Sequence, residues 1–407
     1  MTIGISTRNR NFGLAAAFVA VAAVYFAIFL IPPLIAVFVD DIGISYAQAG
    51  LLMSVYLAAY AFGSMFTGSI VHRLGAPATI GIGLFLAAAA TLAFPVTTDL
   101  AIWLSLRAVV GLATALIYAP GITYVLRLLP PERGTSGVGL YFAGLSVGVT
   151  IVFLVTPGLE EALGWRWPFY IFGGAILAFG LAFAVLAWPT KRLGRSSADG
   201  HPRNGVGRLA RNGPFLAVCG ALLVAMFVSY GVYTWIAPWL DEVGGFSAGQ
   251  VSAALGLALA IGIPATLLAG WLTDRSGRPM VIAGAFFIPA TALIVLAIGG
   301  QVSYSVAVLV AVIASFGVTG GLSPLFVLPR IVVSDDLVGM ATGVATTAAI
   351  IGAILSTYLG GLLIEVTDGY SVTMTVYAVS TVAAVFVLFP LAAARIRRGN
   401  GRLSLKT

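Results

Sequence analysis

Arg107 is the residue in this sequence with the most chemistry to explain. It stands about eight residues inside an apolar run from 100 to 126, ~12 Å from the nearer end of a helix built on that run. A bare charge at such depth is costly, so the guanidinium must meet water, an anion or a set of acceptors. By helical spacing Arg107, Gly111, Thr114 and Tyr118 share one face. Two chemistries suit that face. In one, the cation faces an aqueous cavity or a partner there. In the other, it bonds backbone carbonyls of neighbouring helices. Few other residues compete for a chemical role. None of the fourteen acids lies deep in an apolar run, and Cys219, the single cysteine, sits in one and reads as a small buried residue. The chain has no His/Cys/Asp cluster, nucleophile elbow or phosphate loop. It is therefore not expected to be an enzyme, and neither a cofactor nor a metal is expected.

A second group of polar residues is repeated. A shift of 202 positions places Ser45 on Ser247, Gln48 on Gln250, Gly68 on Gly270, Arg73 on Arg275, Gly75 on Gly277 and Pro77 on Pro279 without a gap. The later copy ends Gly270-Trp-Leu-Thr-Asp274-Arg275-Ser-Gly277-Arg278-Pro279. There Gly270 permits close helix approach and Gly277 a tight turn. Asp274 can pair with an arginine or face a helix N-terminus, where negative charge is favoured. The earlier copy carries His72 at the aspartate position and Ala76 at the second basic position.

The elements that must position these residues follow from composition. Apolar residues make up 60% of the chain and charged residues 9%, against about 25% charged in a soluble domain. A water-facing surface cannot be made from so few charges. Apolar runs fall at 12–36, 47–71, 78–97, 100–126, 136–158, 168–188, 214–239, 248–272, 279–299, 304–329, 339–364 and 370–391. Each suits a membrane helix of ~20 residues, and lipid excludes open strands. The first run is too long for the apolar core of a signal peptide and reads as a retained span. The predicted fold is an all-α polytopic membrane protein of twelve transmembrane helices, in two six-helix halves related by a pseudo-two-fold axis. The halves are 1–189 and 214–407, the second with a tail, and 190–213 is a basic linker. That linker carries Lys191, Arg192, Arg195, Arg203, Arg208 and Arg211 against Asp199.

Charge also predicts orientation. With the N-terminus in the cytoplasm, all of the 21 lysines and arginines except Arg107 and Arg166 lie inside. Asp40, Asp41, Glu160, Glu161, Asp241 and Glu242 lie outside. Both termini are expected in the cytoplasm, in a multi-pass protein of the plasma membrane. The net charge of +7 is thereby explained by topology, and no nucleic-acid partner is expected. Trp165 and Trp167 are expected to anchor the external interface. Gly144-x-x-x-Gly148, Gly317-x-x-x-Gly321 and Gly339-x-x-x-Gly343 are expected packing faces.

The loop from Gly270 to Pro279 resembles the signature loop of the major facilitator superfamily, and Arg107-x-x-x-Gly111 resembles that family's fourth-helix motif. The resemblance implies a secondary transporter working by alternating access. It implies gating loops at Gly68, His72, Arg73 and Gly75 and at Gly270, Asp274, Arg275, Gly277 and Arg278. It also implies a central cavity lined by the first, fourth, seventh and tenth helices. Mapped onto this chain, the lining candidates are Tyr25, Phe29, Arg107, Tyr118, Tyr230, Tyr233, Trp235 and Phe316. The family's drug antiporters carry a Gly-Pro pair in the fifth span, whereas here Gly148 precedes Val149. With Arg107 at depth and no buried acid, the favoured substrate is a small organic solute, anionic or neutral polar. Protons are a possible coupling ion, the bilayer is the surrounding partner, and a monomer suffices. The alternatives are efflux of hydrophobic or drug-like compounds and, in another class, a non-transporting membrane receptor.

Overall fold

The computed structural model describes residues 7–129, 134–186, 205–276, 278–291, 302–334 and 337–383. Among them the chain is helical, with no strand. Ten helices are long and apolar enough to cross a membrane: Arg10–Ile42, Tyr46–Leu74, Ala76–Val96, Leu100–Leu128, Ala143–Leu163, Arg166–Val185, Gly213–Val243, Ala248–Thr273, Tyr304–Pro329 and Met340–Thr367. The predicted ninth and twelfth spans are described only in part, as Pro279–Ala290 and Ser371–Ala383. Large apolar side chains such as Phe62, Met65, Phe85, Leu181 and Leu267 stand exposed along these helices. Apolar surface on that scale requires lipid. Among the described residues the protein is an all-helical, multi-pass membrane protein, and its ten spans and two partly described helices are consistent with twelve helices in two halves.

The repeat is a repeat of local structure. Ser45 Oγ accepts from the Gln48 N–H at 3.2 Å while Gln48 Oε1 accepts from the Ser45 N–H at 2.9 Å, a reciprocal capping box that starts the second span. Ser247 and Gln250 form the same pair at 3.4 and 3.0 Å to start the eighth. Each box follows a left-handed glycine, Gly43 (φ 80°) or Gly245 (φ 61°). Each glycine follows a π-helical turn, Phe38–Ile42 or Trp239–Val243. The aligned prolines open the next helices, Pro77 in Ala76–Ala93 and Pro279 in Pro279–Ala290.

The chain divides into two compact units, Met1–Asp199 with Ala237–Leu259, and Gly200–Ile236 with Ala260–Thr407. In the first unit, helices approach until backbones touch. A Cβ on Gly111 of the fourth span would collide with the Tyr56 carbonyl oxygen of the second, and one on Gly148 of the fifth with the Ala22 carbonyl oxygen of the first. Gly144, one turn from Gly148, lies 2.6 Å by the same measure from the Phe18 carbonyl oxygen. In the second unit Gly352 of the eleventh span meets the Leu223 carbonyl of the seventh, and Gly321 meets the Phe287 ring. Gly343 has nothing within 4 Å, so close approach on the eleventh span falls at Gly352 and Gly360 instead. Of the linker 190–213, residues from 205 are described. Leu209 joins the core of the second unit beside Phe215, Leu328 and Leu337, and Asn212 Nδ2 donates to the Val332 carbonyl at 3.1 Å.

An aromatic cluster closes the Asp40 end of the first unit. Phe94 stacks on Trp103 and on Phe169, both at 4.6 Å, and Phe38 packs on Trp103 at 5.0 Å. Trp165 belongs to this cluster and is 8% exposed. It is therefore not the interface anchor expected of it. The left-handed Gly164 (φ 87°) precedes it at the turn between the fifth and sixth spans, and Trp167 holds the exposed position. Trp103 Nε1 donates to the carbonyls of Phe94 and Thr97 at 3.0 and 2.9 Å. Trp103→Phe leaves both acceptors short of a donor in a buried site, and it is expected to lower stability by about 1–2 kcal/mol. A thermal melt of the detergent-purified protein checks this, and an unchanged melting temperature would refute it.

Candidate functional site

The fourth span begins at Asp99, whose carboxylate accepts from the Ile102 N–H at 3.0 Å. Two turns further in, Arg107 is 2% exposed. Its surroundings follow from the first span. That helix ends at Phe29 and resumes as a tight turn at Pro32–Leu34. Pro32 and Pro33 carry no N–H, so the carbonyls of Ile28 and Phe29 lack their i+4 donors. Arg107 supplies donors to this helix end: Nη1 to the Ala27 carbonyl at 2.8 Å and Nη2 to Ile28 at 3.1 Å. Nε donates to the Leu52 carbonyl of the second span at 3.2 Å, and Nη2 also approaches Met53 Sδ at 3.3 Å. The Tyr56 ring covers the cation at 5.0 Å. Every guanidinium nitrogen is engaged, and the positive charge sits where the dipole of the first helix favours it.

Below Arg107 lies a row of phenols that the sequence reading mostly missed. Tyr60 packs edge-on against Tyr118 at 6.2 Å, and Tyr118 against Tyr141 at 6.4 Å. Tyr141 Oη donates to the carbonyls of Ile117 and Tyr118. Tyr60 and Tyr118 are partly exposed, whereas Tyr56 and Tyr141 are buried. Of the predicted lining residues in this unit, the structure thus places Tyr118 beside Tyr60. Tyr25 and Phe29 stack on each other at 5.8 Å and are buried, 9% and 3% exposed. Phe29 also packs on Phe153 of the fifth span at 6.1 Å. A signal for Tyr56 and Tyr60 was present, since Leu52, Tyr56 and Tyr60 recur at helical spacing. It pointed to one face without saying that this face meets Arg107 and Gly111.

In the second unit Tyr233 Oη and Thr319 Oγ1 share a hydrogen bond of 2.9 Å between the seventh and tenth spans. Gly262 lies against Thr319, at 3.2 Å from an added Cβ. Tyr233, Tyr230 and Thr319 are partly exposed. Trp235 is separate and fully buried, packed between Gly360 and its neighbours. Phe316 stacks on Phe286 at 5.3 Å, next to Ala265 and Ala269. The structure therefore brings Tyr233 to Thr319, a residue the sequence reading did not single out, while Trp235 lies against Gly360 and Phe316 on Phe286.

The loop residues divide similarly. Gly75 (φ 84°) ends the second span and its carbonyl accepts from Thr79 Oγ1 at 2.8 Å. Gly68, His72 and Arg73 are exposed, and Gly68 has nothing within 4 Å of an added Cβ. Gly270 is partly buried, Arg275 covers the Trp271 ring at 5.4 Å, and the Arg278 N–H donates to Ser276 Oγ at 3.2 Å. The Asp274 side chain and Gly277 lie outside the described residues.

Comparison with known proteins adds a family. The sequence profile of the Major Facilitator Superfamily matches residues 17–348. An uncharacterised MFS-type transporter of Bacillus subtilis, YtbD, is 25% identical over 349 residues, covering 82% of this chain and 83% of that protein. The purine ribonucleoside efflux pump NepI of Escherichia coli is 25% identical over 309 residues, covering 75% of each. Among solved structures, a bacterial homologue of the human lysosomal transporter Spinster, inward-facing and unoccupied, superposes with a TM-score of 0.77. It is 17% identical and covers 99% of this chain and 100% of that one.

Proposed function

Because the chain belongs to the major facilitator superfamily, we propose that it moves a small organic solute, neutral polar first and anionic second, by alternating access. One observation carries the order of these classes. The guanidinium of Arg107 is engaged with backbone carbonyls, whereas the partly exposed groups described above are uncharged: Tyr60 and Tyr118 in one unit, Tyr233 and Thr319 in the other. Phenols and hydroxyls donate and accept, which suits a solute rich in hydroxyl or ring-nitrogen groups. NepI, named for purine ribonucleosides, is a relative whose solutes fit that description. The distribution of lysine and arginine supports cytoplasmic termini, in the cytoplasmic membrane. No second copy is needed to complete either wall, which supports a monomer.

The test joins binding to flux. Purified protein is screened by thermal shift against purine ribonucleosides, small carboxylates and amphipathic cations, and the stabilising solutes are followed in proteoliposomes. A neutral polar solute is expected to stabilise the protein and to be transported. Tyr60→Phe and Tyr233→Phe are each expected to weaken its binding about 2–10-fold, the worth of one hydrogen bond. Flux is measured with and without an imposed pH gradient, because proton symport requires acceleration by the gradient and uniport does not. Stabilisation and flux by amphipathic cations alone would replace this reading with efflux of drug-like compounds. Binding without flux would replace it with a receptor.

A further inference from the structure

In the second unit, hydroxyls commonly fold back onto their own helix. Ser229 and Thr234 of the seventh span donate to the carbonyls of Ala225 and Tyr230, and Thr266 of the eighth donates to Gly262. Thr342 and Thr346 of the eleventh span donate to Val338 and Thr342. Such local bonds satisfy a hydroxyl in lipid without a tertiary partner. Ser315 of the tenth span departs from this habit. It is 4% exposed, yet its Oγ makes no hydrogen bond, neither to a carbonyl of its own helix nor to a neighbouring one. A buried hydroxyl left without a partner is destabilising, so the position calls for an explanation.

Its surroundings supply one. Ser315 and Thr319 lie one turn apart on the same face of the tenth span. Both face the Tyr233 phenol of the seventh. Tyr233 Oη shares its 2.9 Å bond with Thr319 Oγ1, whereas Ser315 stands beside the same phenol without closing a bond on it. Thr319 has a further neighbour in Gly262 of the eighth span, where an added Cβ would lie 3.2 Å from Thr319 Oγ1. Tyr233 and Thr319 are partly exposed, and Ser315 is buried. The phenol thus has two seats a helical turn apart, one in use and one in reserve.

We infer that Ser315 is a specificity-determining residue, the alternate seat of the Tyr233 phenol when a solute takes Thr319. In the empty site Tyr233 and Thr319 satisfy each other, and Ser315 is left over. A solute that engages Thr319 sends the phenol to Ser315. There the Ser315 hydroxyl donates to Tyr233 Oη, and the hydrogens of Tyr233 and Thr319 both turn to the solute. The arrangement selects solutes with two neighbouring acceptors, such as paired hydroxyls or a ring nitrogen beside a hydroxyl. A solute with one acceptor leaves a polar group of the site unmatched, which is how hydrogen-bonding sites discriminate most strongly. This rests on the proposed function for the solute, whereas the two seats are testable without one.

The phenol is labelled by placing 3-fluorotyrosine at position 233, and its fluorine resonance is read on the purified full-length protein. Without solute the parent is expected to show mainly the signal of the Thr319 seat. Thr319→Val, which removes that seat, and Gly262→Ala, which crowds it, should move the weight to a second signal. Ser315→Ala should abolish the second signal and leave the substrate-free melting temperature level or raised, since it removes an unpartnered hydroxyl. Adenosine, the probe solute, is expected to move the parent to the second signal. Ser315→Ala should block that move and weaken adenosine binding about 2–10-fold, the effect of one hydrogen bond. Ser356→Ala is the control. It removes another fully buried, unpartnered hydroxyl, on the eleventh span, and should leave both the signal and adenosine binding as in the parent. A signal left unchanged by Thr319→Val and Ser315→Ala would overturn the two seats, as would adenosine bound without any shift. A lower melting temperature of Ser315→Ala with full adenosine binding would make Ser315 a structural residue instead. Signals that respond to the variants while no polar solute binds would keep the two seats and sink the proposed solute class.

Discussion

Arg107→Ala is expected to destabilise the substrate-free protein by at least about 3 kcal/mol, because it removes charge-assisted hydrogen bonds from buried carbonyls of two helices, of which that of Ile28 faces a proline in place of its i+4 donor. The carbonyls are those of Ala27, Ile28 and Leu52. The first two belong to a helix end that Pro32 and Pro33 leave short of donors. Water cannot replace the guanidinium cheaply at a site 2% exposed. Arg107→Lys should fall between alanine and the parent, since an ammonium retains the charge but not the planar fork that reaches two helices at once. The measurement is a melt of each variant without substrate. A residue kept only to hold a solute would leave the substrate-free melt unchanged, or raise it, when removed. That result would return Arg107 to a binding role and restore the anionic solute to first place.

The second large effect concerns glycines. Gly111→Ala, Gly148→Ala and Gly352→Ala each drive a methyl into a backbone carbonyl of a neighbouring helix, at Tyr56, Ala22 and Leu223. A side chain can rotate away from such a methyl, but a carbonyl within a helix cannot move without its helix. Each substitution is expected to cost about 1–3 kcal/mol or more by overpacking, seen as loss of the monodisperse, detergent-soluble protein or as a large fall in its melting temperature. The matched controls are Gly81→Ala and Gly220→Ala, helical glycines with nothing within 4 Å of the added Cβ. These are expected to be neutral or to stabilise by about 0.5–1 kcal/mol, since alanine favours the helix. Equal behaviour of the two sets would mean that the interhelical approach is not what these glycines provide.

Much of this protein was legible in its sequence for one physical reason. Lipid penalises every exposed polar group, so span positions, helical structure and the six-plus-six repeat are written into local composition. The repeated Ser45-Gln48 and Ser247-Gln250 pairs are legible in the same way, because a capping box is made by residues three apart. The site is different, because each of its contacts depends on which helix lies opposite and at what height. Periodicity put Arg107, Gly111 and Tyr118 on one face. It could not say that the first span would break at its prolines and present carbonyls there, or that Tyr56 and Tyr60 would cover that face. The same limit explains Trp165, placed at the interface by its type and drawn into the aromatic cluster after Gly164, and Gly343, which has helical spacing but no helix against it. Sequence by itself determined the fold class and the kinds of residue held at depth. The tertiary structure decided which of them are spent on the scaffold and which remain partly exposed, because hydrogen-bond partners are set by non-local packing that no local pattern records.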